Sequence, residues 1–405
     1  MEQVNKGSAP NRLLRVLLIG LCWLPASRLV YAESPETAPP RLAIWCEFMP
    51  YRDVLPTLPI LARYRCDLLL HVGPGEIGDP DLARVYREAR EHGINVIAWF
   101  LHPYEEHLYV GEDTVAATSA FARRFLNWAE REKLGARWVV FDCEPSPLLG
   151  RELFADVRRF NIPALARTLR REKNSVRFAG SVAALNELIE ELHARDVRVM
   201  GAANRVFLDF LRYGNTTVQD TLNAPFSMVQ WDRISYITYR YHATQPQYVT
   251  LVNRYATLAV RFHGNRAALD LGLIGDQSSF PEHQERAQLF GGSRYFISYL
   301  RGMRSVHDLR EAISVALSRG VTQINLYSLE GAVESVAGLE NWLQAAAESR
   351  PARNLDRWTP VGSIRAGVLG ATMQGLFKVL VGQHPNPPPA PPEEGRSQVP
   401  SLEGI

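Results

Sequence analysis

The chain has 405 residues, of which 46% are hydrophobic and 22% are charged, a composition typical of a globular protein with a large buried core. Its 45 basic and 43 acidic residues give a net charge of +2 and are interspersed along the chain, which argues against a nucleic-acid-binding surface. The length fits one large domain or two smaller ones.

The first 32 residues have the pattern of an export signal. Three basic residues precede an apolar stretch at 16–24, and a Val-Tyr-Ala sequence ending at Ala32 provides a small-residue cleavage site. The apolar stretch is short for a membrane span, so we expect cleavage after Ala32 and a secreted or periplasmic protein, with a retained anchor as the alternative. Cys22 follows Leu21 rather than a small residue, which argues against lipid attachment there.

After a polar spacer at 33–40, eight apolar, β-branched segments alternate with segments of helical periodicity. The predicted strands are Leu42–Glu47, Asp67–Val72, Asn95–His102, Trp138–Glu144, Arg198–Ala203, Ile234–Tyr239, Ala267–Ile274 and Thr322–Leu329. Eight strands that alternate with helices predict a single closed parallel barrel, a (β/α)8 TIM barrel, over residues 41–350.

Apolar residues at steps of three or four support the intervening helices. They are Leu82, Val85, Tyr86 and Ala89, then Phe121, Phe125 and Trp128, then Leu309, Ile313, Ala316 and Leu317. Gly320 provides a helix stop just before the last strand. An open doubly wound sheet is the main alternative, but residues 45–48 read Trp-Cys-Glu-Phe where that fold has a Gly-rich phosphate-binding turn.

The composition changes after residue 350. Residues 351–383 are apolar but interrupted by charged and polar residues, which predicts a C-terminal extension packed on the barrel, with contact to a membrane surface as the alternative. Residues 384–405 are Pro-rich and then polar, which predicts a disordered tail.

Removal of the leader leaves three cysteines, Cys46, Cys66 and Cys143, so at most one disulfide can form. Cys46 ends one predicted strand and Cys66 begins the next, at opposite ends of the barrel, which disfavours their pairing. No Cys/His spacing resembles a zinc site, and we expect neither a metal nor an organic cofactor.

Strand four ends in two carboxylates, Asp142 and Glu144. Residues i and i+2 of a strand share a face, so both acids point together while Val139, Phe141 and Cys143 point the other way. Burying two charges is costly unless one group keeps its proton or the two share a hydrogen bond. We therefore interpret the pair as catalytic, in preference to a solvated turn after a core strand.

The active site of a βα barrel lies at the carboxyl ends of its strands. Aromatic rings at this end suit the apolar face of a sugar, and polar side chains suit its hydroxyl groups, so we expect an oligosaccharide or carbohydrate polymer as partner. The candidate substrate-binding residues are Trp45, Glu47, Trp99, His102, Asn204, Tyr241, Asp276, Tyr327 and Glu330.

Three strand ends resemble motifs of family-18 chitinases. Phe-Asp-Cys-Glu at 141–144 is similar to the end of the family's Asp-x-x-Asp-x-Asp-x-Glu motif. Tyr-Ile-Thr-Tyr-Arg-Tyr at 236–241 is similar to its Met-Thr-Tyr-Asp-Tyr, and Asn-Leu-Tyr-Ser-Leu-Glu at 325–330 resembles its Trp-Ser-Leu-Asp ending. The likeness covers most of the barrel in strand order through a handful of identical residues.

The resemblance implies specific roles for three residues. Glu144 would be the general acid, Asp142 would stabilise the substrate's own N-acetyl group as nucleophile, and Tyr239 would hold the carbonyl of that group. This substrate-assisted scheme needs no second protein nucleophile.

The chain also departs from the family pattern. Arg137 and Val140 stand at the motif's two earlier acids, Arg240 replaces the strand-six Asp, and Tyr327 replaces the strand-eight Trp. Asp-x-Glu on strand four is similar as well to family-25 lysozymes and to hyaluronidases. All of these families act on polymers that contain N-acetylhexosamine, so the sequence predicts hydrolysis of such a glycan.

Two other functions stay open. Cys-Glu-Pro at 143–145 is similar to the Asn-Glu-Pro of other barrel glycosidases, which would use Glu144 as acid/base but need a Glu nucleophile that strand seven lacks. The second alternative is a non-catalytic secreted barrel, with a degraded site, that binds a glycan or a protein.

Overall fold

The computed structural model describes residues 39–103, 108–159, 161–240, 243–275, 302–352, 375 and 377–382. Eight strands follow one another in the order of the sequence. They are β1 (Arg41–Cys46), β2 (Cys66–Val72), β3 (Val96–Phe100), β4 (Trp138–Cys143), β5 (Arg198–Asn204), β6 (Arg233–Tyr239), β7 (Ala267–Gly272) and β8 (Gln323–Tyr327).

Helices occupy the connections between the strands. The described α-helices are α1 (Tyr51–Val54), α2 (Leu58–Arg63), α3 (Pro80–Glu91), α4 (Val115–Arg131), α5 (Pro147–Arg158), α6 (Ile162–Glu172), α7 (Ser175–Ala194), α8 (Val206–Leu211), α9 (Thr217–Thr221), α10 (Gln245–His263), α11 (Val306–Ser318), α12 (Leu329–Glu334) and α13 (Gly338–Ala347). Short 3₁₀ helices lie at Leu55–Thr57 and Gly264–Arg266.

The sheet closes on itself. Every strand pairs in parallel with the next, and β1 pairs with β8 through a register that sets Ala43 opposite Asn325. This closure confirms the (β/α)8 TIM barrel and excludes the open doubly wound sheet. The predicted strands four and eight extend one and two residues too far, because Glu144 already lies past β4 and Ser328 caps α12 with its hydroxyl.

The alternation of side chains along the strands divides the core into two parts. Outward-facing residues pack beneath the helices with the helix residues predicted from periodicity, such as Leu82, Phe125 and Ile313. Inward-facing residues fill the barrel itself, among them Ala43, Ile97, Val140, Met200 and Ile237. The barrel interior is therefore a packed core.

The amino end of the barrel is filled by an aromatic ring and cations. Trp138, the first residue of β4, packs against the inner core, and the guanidinium of Arg233 lies 4.7 Å from its ring centroid. The guanidinium of Arg198 lies 5.9 Å from the same ring. Burial and the neighbouring Arg41 lower the pKa of Arg233 to about 10.

Local sequence features explain how individual connections are placed. Asp79 caps α3 by accepting hydrogen bonds from the backbone of Asp81 and Leu82, and Pro80 occupies the first helical position.

Gly201 of β5 lies beneath Trp231, whose ring would stand 2.6 Å from any added Cβ. That position therefore excludes every side chain unless the tryptophan moves.

The predicted C-terminal extension is described only at 375 and 377–382. There the ring of Phe377 is buried and meets that of Phe210 at 5.2 Å, edge to face, while Arg170 and Lys173 donate to the carbonyls of Leu380 and Val381. The leader, the first six residues of the spacer and the tail from residue 384 lie outside the described residues.

The three cysteines Cys46, Cys66 and Cys143 are buried free thiols. The β1–β2 register pairs Cys66 with Leu42 and Cys46 with Leu70, so Cys46 and Cys66 lie at opposite ends of the strand pair. Within the described ranges, no helix is long and apolar enough to cross a membrane.

Candidate active site at the carboxyl end of the barrel

Asp142 and Glu144 lie on the inward face of β4 and of the turn that follows it. Val139, Phe141 and Cys143 belong to the outer core, so the alternation predicted from sequence holds along this strand. The Asp142 side chain is 5% exposed. Both acids thus enter the barrel mouth from one strand.

The carboxyl group of Glu144 is placed so that it retains a proton near neutral pH. The pKa of Glu144 is raised to about 7, mainly by burial; the charges of Asp270 and Glu47 also raise it, while a hydrogen bond from Asn204 and the charge of Arg205 lower it. The two acids whose charges raise this pKa come from β7 and from the end of β1.

Glu47 follows β1 and is 8% exposed. The Tyr327 hydroxyl, at the end of β8, donates a hydrogen bond to Glu47 Oε2. Both residues were predicted to bind substrate, and the structure brings them into direct contact. This contact holds the carboxylate of Glu47 on the side of the mouth formed by β1 and β8.

Glu330, also predicted to bind substrate, contacts the backbone of the β1–α1 loop. Its Oε1 accepts hydrogen bonds from the amides of Glu47, Phe48 and Met49, at 2.6, 2.8 and 3.2 Å. Three amide donors to one carboxylate oxygen form a charge-assisted anchor. The structure therefore gives Glu330 the position of a loop anchor that orients Glu47.

Two pairs of aromatic rings line the barrel mouth. The rings of Trp45 and Trp99 meet edge to face at 4.7 Å, and those of Tyr239 and Tyr327 lie 4.9 Å apart at an angle of 32°. All four residues belong to the inner core. Trp45 and Trp99 are 2% and 3% exposed, while Tyr327 and Tyr239 are 6% and 9% exposed.

His102 does not face the mouth. Because Ile97, Trp99 and Leu101 point inward along β3, the next position points outward. The His102 Nε2 lies 2.8 Å from the Thr118 hydroxyl of α4. The structure therefore places His102 beside α4 and not beside Trp99, since residues three apart on an extended chain lie on opposite faces.

Asn204 ends β5 and touches the candidate acid. Its Nδ2 lies 3.4 Å from Glu144 Oε1, and its Oδ1 accepts a hydrogen bond from the Val206 amide at 3.1 Å. The following residue, Arg205, was not predicted from sequence. It donates to the carbonyls of Ile237 and Tyr239, at 3.5 and 3.4 Å, and so ties β5 to β6 beside the acid.

Asp270 is the second residue that sequence analysis missed. It lies within β7, is fully buried, and accepts hydrogen bonds from Trp45 Nε1 at 3.0 Å and Asn325 Nδ2 at 2.7 Å. Burial raises the pKa of Asp270 to about 6, against the polar groups of Asn325, Ser235 and Trp45, which lower it. The sequence signal that could have identified Asp270 is its position between Leu269 and Leu271, in a segment predicted as a core strand.

Arg240, which replaces the family's strand-six Asp, points away from the acids. Its Nη1 forms an ion pair with Asp308 of α11 at 2.6 Å, and its Nε donates to the carbonyl of Ala243. The two remaining predicted residues, Tyr241 and Asp276, lie outside the described residues. Within the described part of the chain, no group of three or more His, Cys, Asp or Glu side chains could hold a metal ion.

No known protein family and no curated protein matches this sequence. Solved structures with a similar barrel include the glycoside hydrolase domain of PgaB (BpsB) from Bordetella bronchiseptica, at 12% identity and a TM-score of 0.44, with 78% of this chain and 100% of that chain covered. The spore cortex-lytic enzyme SleL from Bacillus megaterium QM B1551 matches at 12% identity and a TM-score of 0.46, with 87% of both chains covered.

A solved structure named for a different activity also matches. A D-psicose 3-epimerase is 13% identical, with a TM-score of 0.37 and 84% of this chain and 99% of that chain covered. One barrel architecture supports many different reactions.

Proposed function

We propose that this protein is a glycoside hydrolase that cleaves a glycan containing N-acetylhexosamine, with Glu144 as the general acid. The observation that carries the proposal is the environment of Glu144. A partly buried carboxyl group with a pKa raised to about 7 keeps its proton in a large fraction of molecules at neutral pH. Cleavage of a glycosidic bond needs such a proton for the leaving oxygen.

The second acid on β4 fits a substrate-assisted reaction. The carbonyl oxygen of the substrate's acetamido group would form a bond to the anomeric carbon while the bond to the leaving oxygen breaks and that oxygen takes the proton of Glu144. Asp142 would stabilise the positive charge on the acetamido nitrogen, and Tyr239 would donate to the acetamido oxygen. Water would then open the cyclic intermediate, with its proton returning to Glu144.

The aromatic pairs support a sugar as the ligand. Tyr239 and Tyr327 come from β6 and β8, while Trp45 and Trp99 come from β1 and β3, so the two pairs lie on different sides of the same mouth. Their faces and edges can contact the apolar face of a pyranose ring, while Asn204 and Asp142 offer polar groups for its substituents.

The proposal is tested with Glu144→Gln, which keeps the shape of the side chain and removes the transferable proton. Hydrolysis of chitin oligomers, peptidoglycan fragments and hyaluronan should fall by about 10² to 10⁴ while oligosaccharide affinity changes little. Glu340→Gln is the matched control, since it makes the same change on an exposed pair with Arg63. Equal binding by wild type and Glu144→Gln, with cleavage by neither, would indicate the non-catalytic binder.

Glu47 supports a second mechanism within the same class. It is a buried carboxylate that accepts a hydrogen bond from Tyr327, and its charge acts on Glu144, so two acids from β1 and β4 share one space. Such a pair can supply a protein nucleophile or base together with an acid. Cleavage of a glycan that lacks N-acetyl groups, abolished by Glu47→Gln, would favour this two-carboxylate glycosidase over the substrate-assisted one.

A further inference from the structure

The first inward-facing side chains of four strands form a layer at the amino end of the barrel. Ala43, Val140 and Met200 belong to the inner core, so the residues two positions before them also face inward, and so does the residue four positions before Ile237. These residues are Arg41, Trp138, Arg198 and Arg233. Three of the four are arginines, and the layer lies at the opposite end of the barrel from the candidate acids.

Two of the arginines lie against one aromatic ring. The guanidinium of Arg233 lies 4.7 Å from the ring centroid of Trp138, and that of Arg198 lies 5.9 Å from it. The ring attracts each cation through its quadrupole, but it carries no net charge that could neutralise them. Trp138 therefore holds two like charges close together, and such charges repel each other unless an anion lies between them.

The guanidinium groups of this layer have no acceptor within the described part of the chain. There the side chains of Arg41, Arg198 and Arg233 form no hydrogen bond and no ion pair. The buried Arg254 differs, since it pairs with the carboxylate of Asp209. Each guanidinium offers five N–H donors, so the layer presents a concentration of donors without a protein partner.

The inward-facing acid of this layer is Asp67, near the start of β2. Its Oδ1 accepts hydrogen bonds from the backbone and side-chain nitrogens of Asn95, both at 3.0 Å. Three guanidinium groups and this one carboxylate leave an excess of two positive charges. Burial is the main cause of the lowered pKa of Arg233, and the charges of Arg41 and Arg198 contribute, as expected of cations held close together.

A second acid nearby is already engaged. Asp232 directly precedes Arg233, so its side chain leaves the strand on the opposite face. Its Oδ2 lies 2.8 Å from His193 Nε2 and accepts a hydrogen bond from the Val199 amide at 2.7 Å. The excess of positive charge on the inward face is therefore available to a ligand.

We propose that the amino end of the barrel binds a phosphate group, with Arg198 and Arg233 as its main donors and Arg41 as a third cation. Arg41 is exposed and the other two arginines are half-buried, so solvent reaches the site. A phosphate monoester carries about −1.5 to −2 charges near neutral pH, which matches the excess, whereas a carboxylate carries a single charge. The guanidinium fork also donates two parallel N–H groups to phosphate oxygens.

Calorimetric titration of the full chain with inorganic phosphate, at constant ionic strength, tests the site. Arg198→Gln should raise Kd about tenfold or more, because charge-assisted hydrogen bonds are lost. Arg137→Gln is the matched control: it removes the same charge one residue before β4, from an exposed pair with Asp196, and should bind as the wild type does. Absence of saturable binding by the wild type, or equal Kd values in the wild type and Arg198→Gln, would overturn the proposal. An equal loss in Arg137→Gln would also overturn it, as a general effect of charge.

Glycerol 1-phosphate distinguishes the sources of the phosphate group. Tighter binding of this monoester than of inorganic phosphate indicates a phosphate carried by a larger molecule, and the reverse order indicates the free ion. Both results support the site. Glu144→Gln should bind either probe as the wild type does, since Glu144 lies at the other end of the barrel. A loss of binding in that variant would place the anion at the mouth and reject the site, whatever the outcome for hydrolysis.

A measurement on the wild-type protein covers the case in which Arg198→Gln does not fold. Nitrogen-15 signals of the Arg198 and Arg233 side chains should shift as phosphate is added, while that of Arg254, paired with Asp209, stays in place. Unchanged signals of Arg198 and Arg233, or equal shifts of all exposed arginine side chains, would refute a specific site.

Discussion

The pH dependence of hydrolysis should depend on whether the leaving group needs a proton. Only the protonated form of Glu144 can act as an acid, and its pKa is raised to about 7. Half of the molecules are then active at pH 7, about one-tenth at pH 8 and about one-hundredth at pH 9. On an unactivated oligosaccharide, kcat/KM should therefore fall about tenfold per pH unit above neutrality.

An aryl glycoside whose phenolate departs without a proton provides the comparison. On this substrate the high-pH fall should largely disappear, and Glu144→Gln should cost far less than the 10² to 10⁴ or so expected on the unactivated glycan. Initial rates with both substrates from pH 5 to pH 9 measure the effect. The same high-pH limb on both substrates, or an equal loss in Glu144→Gln on both, would refute the assignment of Glu144 as the acid.

Four further outcomes are expected. Tyr239→Phe should slow cleavage of N-acetylated glycans and leave deacetylated ones unaffected, as parallel rate assays would show; equal losses on both would contradict its role. Glu330→Ala should lower the free energy of unfolding in urea by about 2 kcal/mol, because three loop amides, one buried and two partly buried, lose their acceptor. Melting temperature should fall as pH rises from about 5 to about 8, because a carboxyl group with a raised pKa stabilises the fold while protonated, and Glu144→Gln should reduce that fall. Truncation before His384 should leave the melting temperature nearly unchanged, whereas Phe377→Ala should cost about 3 kcal/mol.

The fold was predictable because barrel strands leave a strong local signal. Each strand is an apolar, β-branched run, and helix periodicity separates the runs, so all eight strands were found within a few residues of their observed bounds. The strand ends were less predictable, since a polar residue such as Ser328 can end a strand by capping the next helix. Whether such a residue continues the strand or caps the helix depends on tertiary contacts.

The candidate site was predictable only in part. Alternation along one strand places Asp142 and Glu144 together, and this needs no knowledge of other strands. Contacts between distant strands cannot be predicted in this way, since nothing in the local sequence connects Glu330 to the β1–α1 loop or Asp270 to Trp45. A search restricted to strand ends also passes over an acid in the middle of β7.

The ring of Trp138 and the guanidinium groups of Arg198 and Arg233 limit the directions from which a ligand can reach the candidate acids. They fill the amino end of the packed barrel, at the opposite end from Asp142 and Glu144. For the proposed hydrolase this means that a glycan does not pass through the barrel from end to end, and that substrate and product use the carboxyl end.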